Sequence, residues 1–299
     1  MKKFILCFTA LLCMGLSYLY SNDLKGSHYG DIQDTNTEFW YEIDFDFSED
    51  EYNYNIFVPG TLEILNIPES KVKDKYYIEN GKYEIKEKKG LETIHFSSKS
   101  GHQVMNNKGL LTYGKLLYLV DGQSIVVNSF TPDEEVTNTP FSYNYIVSTS
   151  SSLTEGNTKY DGQTFYYDNN NLIPWVEGVN GSGIGEWIEF DFNSTGIEYY
   201  PNAVVDGFII SNGYVNYDKP KLYKANNRVR KLLIECEEKD INYTVEINDT
   251  SAFQLVKLPK ELGKEHCKVR ITIESIYEGN KWDNTVINRI IPISTKYIK

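Results

Sequence analysis

From residue 37 onward, apolar and polar side chains alternate with a period of two. Phe39, Tyr41, Ile43, Phe45 and Phe47 are interleaved with Trp40, Glu42, Asp44 and Asp46, the pattern of a strand with one buried face. It continues through residues 53–58 and 61–65, and through two runs at 76–79 and 82–85 separated by Asn80-Gly81. Asn-Gly readily takes positive φ at both central positions of a type I′ turn, so those runs are expected to form a hairpin. A second hairpin is expected at Asp121-Gly122, between 116–120 and 124–127. No segment of helical period competes, and residues 37–130 are expected to form a small antiparallel β domain, a barrel or a sandwich.

Residues 131–140, TPDEEVTNTP, combine two prolines with three acids and carry no apolar period. They read as a connector, and the linker is placed at 131–142. Beyond it, strands are expected at 186–192, 207–211, 229–236, 243–247, 253–258, 268–276 and 286–294. That spacing suggests a β-sandwich or jelly roll over 143–299. The loops at 154–184 and 212–227 exceed what connection requires, and such loops commonly carry function. The fold class is therefore all-β in two domains, consistent with a length of 299 residues.

The first residues change the picture of where the chain works. Lys2-Lys3, the apolar run 4–16 and a small residue at Ser21 match a signal peptide over 1–21, with 22–36 a flexible N-terminus after cleavage. The chain is expected to be exported, to the periplasm or the extracellular space. The apolar run is too short to span a bilayer, and no later stretch rivals it. A formal charge of −12 repels phosphate backbones, which argues against nucleic acid as a partner. Cys7 and Cys13 would leave with the signal peptide. Cys236 and Cys267 remain, and export favours a disulfide between them; two buried free thiols are the alternative.

Enzyme chemistry finds little support. The histidines are His28, His95, His102 and His266, none beside a nucleophile motif and none at a metal-ligand spacing. Glu186, Glu189 and Asp191, or Glu177, would supply a glycosidase pair. Glu189 and Asp191, however, alternate with Ile188, Phe190 and Phe192 and read as the solvent face of a strand. Gly178, Gly181, Gly183 and Gly185 lack dinucleotide-fingerprint spacing and precede a strand where a helix is required. No catalytic residue, cofactor or metal ligand is assigned, and the protein is read as a non-enzyme.

The most particular stretch lies at 172–230. Pro174-Trp175-Val176-Glu177-Gly178, Gly183-Ile184-Gly185-Glu186-Trp187-Ile188-Glu189-Phe190, Ile210-Ser211-Asn212-Gly213-Tyr214 and Asn226-Asn227-Arg228-Val229-Arg230-Lys231-Leu232, with 277–285 further on, resemble the discoidin-like (coagulation-factor type C) domain of bacterial NAD glycohydrolase toxins, their translocation or glycan-binding region. The likeness covers about residues 143–299 and implies a discoidin-like jelly-roll sandwich that binds rather than catalyses. In those toxins the catalytic unit is a separate domain, and nothing here matches it. The resemblance also implies that a structural Ca²⁺ is an option, with Asp161 and Asp168 as candidate ligands, though no ligand spacing supports it.

Sugar binding needs aromatic faces for pyranose C–H patches, and amides, acids or Arg for the hydroxyls. Trp175, Glu177, Asn212, Tyr214, Asn226, Asn227, Arg228 and Trp282 are the candidate ligand-binding residues, the loops at 174–183 and 212–228 being expected to share one surface. The expected function is recognition of a carbohydrate or glycoconjugate by an exported protein. The alternative is that the same loops grip an envelope protein.

Overall fold

A computed structural model describes residues 24–34, 39–57, 69–100, 108–113, 116–121, 125–130, 145–162, 173–192, 204–262 and 266–294. The signal-peptide and linker assignments, and Asp168 and His102, lie outside those residues. The chain is all-β.

The N-terminal domain contains β1 (Gly26–Asp34), β2 (Phe39–Phe47), β3 (Glu51–Phe57), β4 (Val72–Lys73), β5 (Tyr76–Lys88), β6 (Leu91–Ser98), β7 (Lys108–Tyr113), β8 (Leu116–Asp121) and β9 (Ile125–Phe130). Every pairing is antiparallel. Strand order runs β3-β2-β1-β9-β8-β7-β6-β5-β4, and β3 also pairs with β5, so among the described residues eight strands close on one another and leave short β4 outside the ring. Closure removes the free edges that an open sheet would expose. Ile43, Phe45, Phe47, Tyr52, Tyr54, Ile56, Tyr77 and Phe96 fill the interior, with the Phe45 and Phe47 rings stacked at 5.3 Å. Buried Glu79 accepts hydrogen bonds from the hydroxyls of Tyr52 at 2.6 Å and Tyr77 at 2.8 Å.

Two sequence expectations are corrected here. Residues 26–34, placed in a flexible N-terminus, form β1, which pairs with β2 on one side and β9 on the other. Asn80-Gly81 is not a turn: it lies inside the continuous 13-residue strand β5. Gly81 faces Tyr52 of β3 and Ser98 of β6. A Cβ there would lie 2.1 Å from the Ser97 carbonyl oxygen and 2.9 Å from the Tyr52 ring, so the glycine serves close backbone approach rather than reversal. The reversals fall at Asp74-Lys75 (φ 52° and 73°) and Lys89-Gly90 (φ 61° and 86°), two-residue turns with both φ values positive. The hairpin expected near Asp121 is present as the pairing of β8 with β9.

The C-terminal domain contains β10 (Tyr145–Thr149), β11 (Thr154–Glu155), β12 (Thr158–Lys159), β13 (Trp175–Val176), β14 (Trp187–Phe192), β15 (Val205–Asn212), helix α1 (Lys221–Ala225), β16 (Asn227–Cys236), β17 (Ile241–Glu246), β18 (Gln254–Leu262), β19 (Cys267–Tyr277) and β20 (Thr285–Ile293). One layer runs β10-β14-β19-β16-β17 and the other β18-β15-β20-β13. The layers meet where the first residues of β16 pair in parallel with β20, Asn227 opposite Thr285 and Arg228 opposite Val286. Ile188, Phe190, Leu232, Ile234, Ile271 and Ile273 from one layer, and Phe208, Ile210, Ile287 and Ile290 from the other, belong to one buried core.

Cys236 and Cys267 are buried free thiols in this structure rather than the expected bridge, packed into the core as small apolar residues. Burial, and then its neighbour Cys236, push the Cys267 thiol up to about 12, so neither group is a ready nucleophile. A thiol titration of denatured, unreduced protein from its native compartment is expected to find none if export has oxidised the pair, and the reduced protein is then expected to be less stable by roughly 3 kcal/mol. Two free thiols in that sample would show that the pair serves as core packing.

Candidate recognition surface

The eight candidate residues surround the strand end where β13, β16 and β20 meet. Six of them, Trp175, Glu177, Asn212, Asn226, Asn227 and Arg228, are buried, and the polar groups among them are engaged by the chain itself. Trp175 donates its indole N–H to the Ser151 carbonyl at 2.9 Å. Asn212 pairs with the backbone of Val229 as a strand would, donating from Nδ2 to the carbonyl at 2.7 Å and accepting from the N–H at 2.9 Å. Asn226 donates to the Leu222 carbonyl at 2.9 Å. Asn227 accepts the Gly279 N–H at 2.7 Å and donates to the Asp283 carbonyl.

Glu177 organises the glycine-rich loop. One oxygen accepts the Thr285 N–H at 3.0 Å and the other the Val179 N–H at 2.9 Å. Gly183, at φ 64°, lies against this side chain so closely that a Cβ would come within 2.3 Å of Cγ. Burial raises the Glu177 carboxyl above its ordinary pKa, and the two N–H bonds only partly oppose that. Thr285 closes the loop by donating to the Ser182 carbonyl at 2.6 Å.

Arg228 forms a two-pronged pair with Asp249 at 2.8 and 3.1 Å. It also donates to the Asn226 carbonyl at 2.8 Å and lies 5.7 Å from the Tyr223 ring centroid. Lys224 reaches the same carboxylate at 2.8 Å. Burial alone would raise Asp249, but bonding to Arg228 and Lys224 outweighs it and holds the group at about 2. Asp249 thus anchors α1 and the start of β16, a role its isolated position in the sequence did not signal.

Two candidates remain accessible. Tyr214 is half-buried with its ring 6.3 Å from that of Tyr160, and burial raises its hydroxyl pKa. Trp282 is 38% exposed, and Lys281 Nζ lies 4.1 Å from its ring centroid. The Trp282 loop is held from below, because the N–H groups of Asn280, Lys281 and Trp282 donate to the carbonyls of Lys224 and Ala225. Across Thr285, the glycine-rich loop presents Val179 at 40% and Ile184 at 57% exposure. Sequence reasoning passed over these two. Each stands beside glycine, Val179 after Gly178 and Ile184 between Gly183 and Gly185, and an apolar side chain in a glycine-rich turn has no strand face to bury it.

The acids considered for catalysis are occupied. Glu186 accepts hydrogen bonds from Ser150 and Ser151, Glu189 pairs with Arg270 at 2.7 Å and Asp191 with His266 at 2.7 Å. Asp161, raised as a calcium ligand, pairs with Lys159 at 3.0 Å. Among the described residues no group of three or more His, Cys, Asp or Glu side chains is arranged to hold a metal ion.

The family model described as the NAD glycohydrolase translocation F5/8 type C domain matches residues 142–291, the sandwich and its rim. The chain belongs to that family. An F5/8 type C domain of the translocation kind is a binding-type module, which agrees with a site built of packed, internally satisfied polar groups beneath an exposed rim. No curated protein matches the chain. Among solved structures it is similar to the arabinofuranosyltransferase AftD from Mycobacteria, at 16% identity and a TM-score of 0.33 over 49% of this chain. The match spans only 10% of that structure's length. No helix among the described residues is long and apolar enough to cross a membrane.

Proposed function

We propose that this is an exported, non-catalytic protein whose F5/8 type C domain binds a carbohydrate or glycoconjugate at the rim formed by the loops 178–185 and 278–284. The observation that carries the reading is Trp282. It is an exposed aromatic on a loop fixed by three backbone hydrogen bonds, with Asn280, Lys281 and Asp283 exposed beside it. A flat apolar face bordered by an amide, a cation and a carboxylate suits a pyranose, which offers C–H patches on one side and hydroxyls around its edge. Tyr214 is a second, half-buried aromatic candidate. The buried six hold the rim in shape.

Val179 and Ile184 favour a second reading, in which the same rim docks on an envelope protein, because a sugar makes less use of two exposed aliphatic side chains. A glycan array probed with the full chain separates the two. The glycan reading expects retention of a defined saccharide, loss of that retention in Trp282→Ala, and no consumption of the glycan or of NAD. An array that retains nothing, with an envelope protein captured through Trp282, would replace the glycan by a protein partner.

A further inference from the structure

The arm from Val215 to Ala225, expected from its Tyr and Asn content to face a ligand, is turned toward the N-terminal barrel. Leu91, Val215 and Tyr223 form a buried cluster joined by Tyr217. The Tyr217 ring covers Gly109 of β7, where a Cβ would lie 2.0 Å from it, and its hydroxyl donates to the Leu110 carbonyl at 3.3 Å. The Tyr223 ring covers Gly90 in the β5–β6 turn, where a Cβ would lie 2.9 Å away. Ser251 donates to the Gly90 carbonyl at 2.9 Å, Ser211 to the Ser251 carbonyl at 2.7 Å, and Asn288 to Ser211 Oγ at 3.0 Å. This buried chain links the barrel's turn to β15 and β20.

The same arm ends in α1, whose last carbonyls hold the Trp282 loop. Gly279 approaches Asn226 so closely that a Cβ would lie 2.5 Å from its carbonyl carbon. Asp249, two residues from Ser251, clamps Tyr223, Lys224 and Arg228 together. A continuous line of contacts therefore runs from the Lys89-Gly90 turn through Tyr223 and α1 to Trp282.

We propose that the barrel is a positioning domain for the Trp282 loop, acting through Tyr217, Tyr223 and α1. The rings seat on glycines because only bare backbone lets an aromatic face lie flat against a strand or turn. With the barrel docked, α1 cannot tilt, and its carbonyls stay aimed at the N–H groups of residues 280–282. Release of the barrel frees α1 and lets that loop open. The proposal shares with the functional reading only the importance of the Trp282 loop and does not depend on what the loop binds.

Amide hydrogen exchange on the full chain tests it. Tyr217→Ala removes the contact from the sandwich side and Gly90→Val from the barrel side; Ile146→Ser, on the remote edge strand β10, is the control. Both interface variants are expected to raise exchange at residues 280–282 by about tenfold or more, with the amides of β16 and β19 keeping their protection and the control leaving 280–282 unchanged. Should Gly90→Val unfold the barrel, Tyr217→Ala still decides. Unchanged exchange at 280–282 in Tyr217→Ala, with exchange at the Leu91 and Val215 amides raised, would overturn the proposal. Because no glycan enters the measurement, its failure and the failure of the glycan reading are distinguishable.

Discussion

Replacing Arg228 by Met is expected to lower the stability of the C-terminal domain by about 2 to 3 kcal/mol while leaving the exposed rim chemistry intact, measured by denaturant unfolding. The guanidinium is buried and bonded to Asp249, to the Asn226 carbonyl and across the Tyr223 ring. Its loss leaves Asp249 with Lys224 and the Tyr223 hydroxyl, and the carbonyl of Asn226 without that donor. Asp249 also sets a pH dependence. Its folded pKa of about 2 lies below the ordinary value near 3.9. The stabilisation is therefore fully present above about pH 4 and is lost as pH falls toward 2, and because the carboxylate is partly open to solvent, screening limits it to about 1 kcal/mol. Asp249→Asn is expected to be less stable at neutral pH and to lack this component of the acid loss. Equal stability of Arg228→Met and wild type at pH 7 would show that the ion pair merely offsets its own desolvation.

Gly81→Val is expected to be the most damaging single change in the barrel, costing about 3 kcal/mol and reading out as a lost barrel transition or an insoluble chain. A Cβ 2.1 Å from the Ser97 oxygen cannot be relieved by rotating a side chain, because the obstruction is backbone. The strand would have to move away from β6, opening the ring on which closure depends. Gly156→Ala is the comparison. That glycine, unlike Gly81, has positive φ, 59°, but nothing stands within 4 Å of the added atom, so only the backbone conformation is penalised, at about 1 kcal/mol. Similar costs at the two positions would show that β5 and β6 separate easily and that closure is not tightly held.

Both experiments bear on what could be read from the sequence. Period-two alternation carries burial information, so β14, β15, β16, β19 and β20 were legible to within a few residues, and the family resemblance named the sandwich. The Asn80-Gly81 turn failed because a local preference for reversal lost to a tertiary need for close approach of β5 to β6 and to the Tyr52 ring of β3. β1 was missed because GSHYGDIQD has little apolar period, and a strand between two partners is held by backbone ladders that side chains do not announce. Lys89-Gly90 carried a turn glycine but no Asn or Asp to mark it.

The candidate site was legible only as a place. Asn, Tyr and Arg in long loops look alike whether they bond a hydroxyl of a sugar or a carbonyl of their own chain. Asn212 supplies a missing ladder rung to Val229 and Arg228 anchors α1; neither role shows in a linear string. Residues Val215 to Ala225 were read as part of a ligand-facing loop because the contact that covers them comes from residues more than 100 positions away, at Gly90 and Gly109.

An exposed binding rim on a buried support is separable by one paired experiment: titration of a glycan retained on the array into Trp282→Ala and Arg228→Met full chains, each also melted. Trp282→Ala is expected to weaken binding by about tenfold with an unchanged melting temperature. In Arg228→Met the seating of Tyr217 and Tyr223 on the barrel and the Lys224–Asp249 pair still hold α1, so this variant is expected to melt earlier yet to bind within about twofold of wild type at a temperature where it is folded. The reverse result, with Trp282→Ala binding normally and folded Arg228→Met failing to bind, would place recognition on the buried residues rather than on the exposed rim.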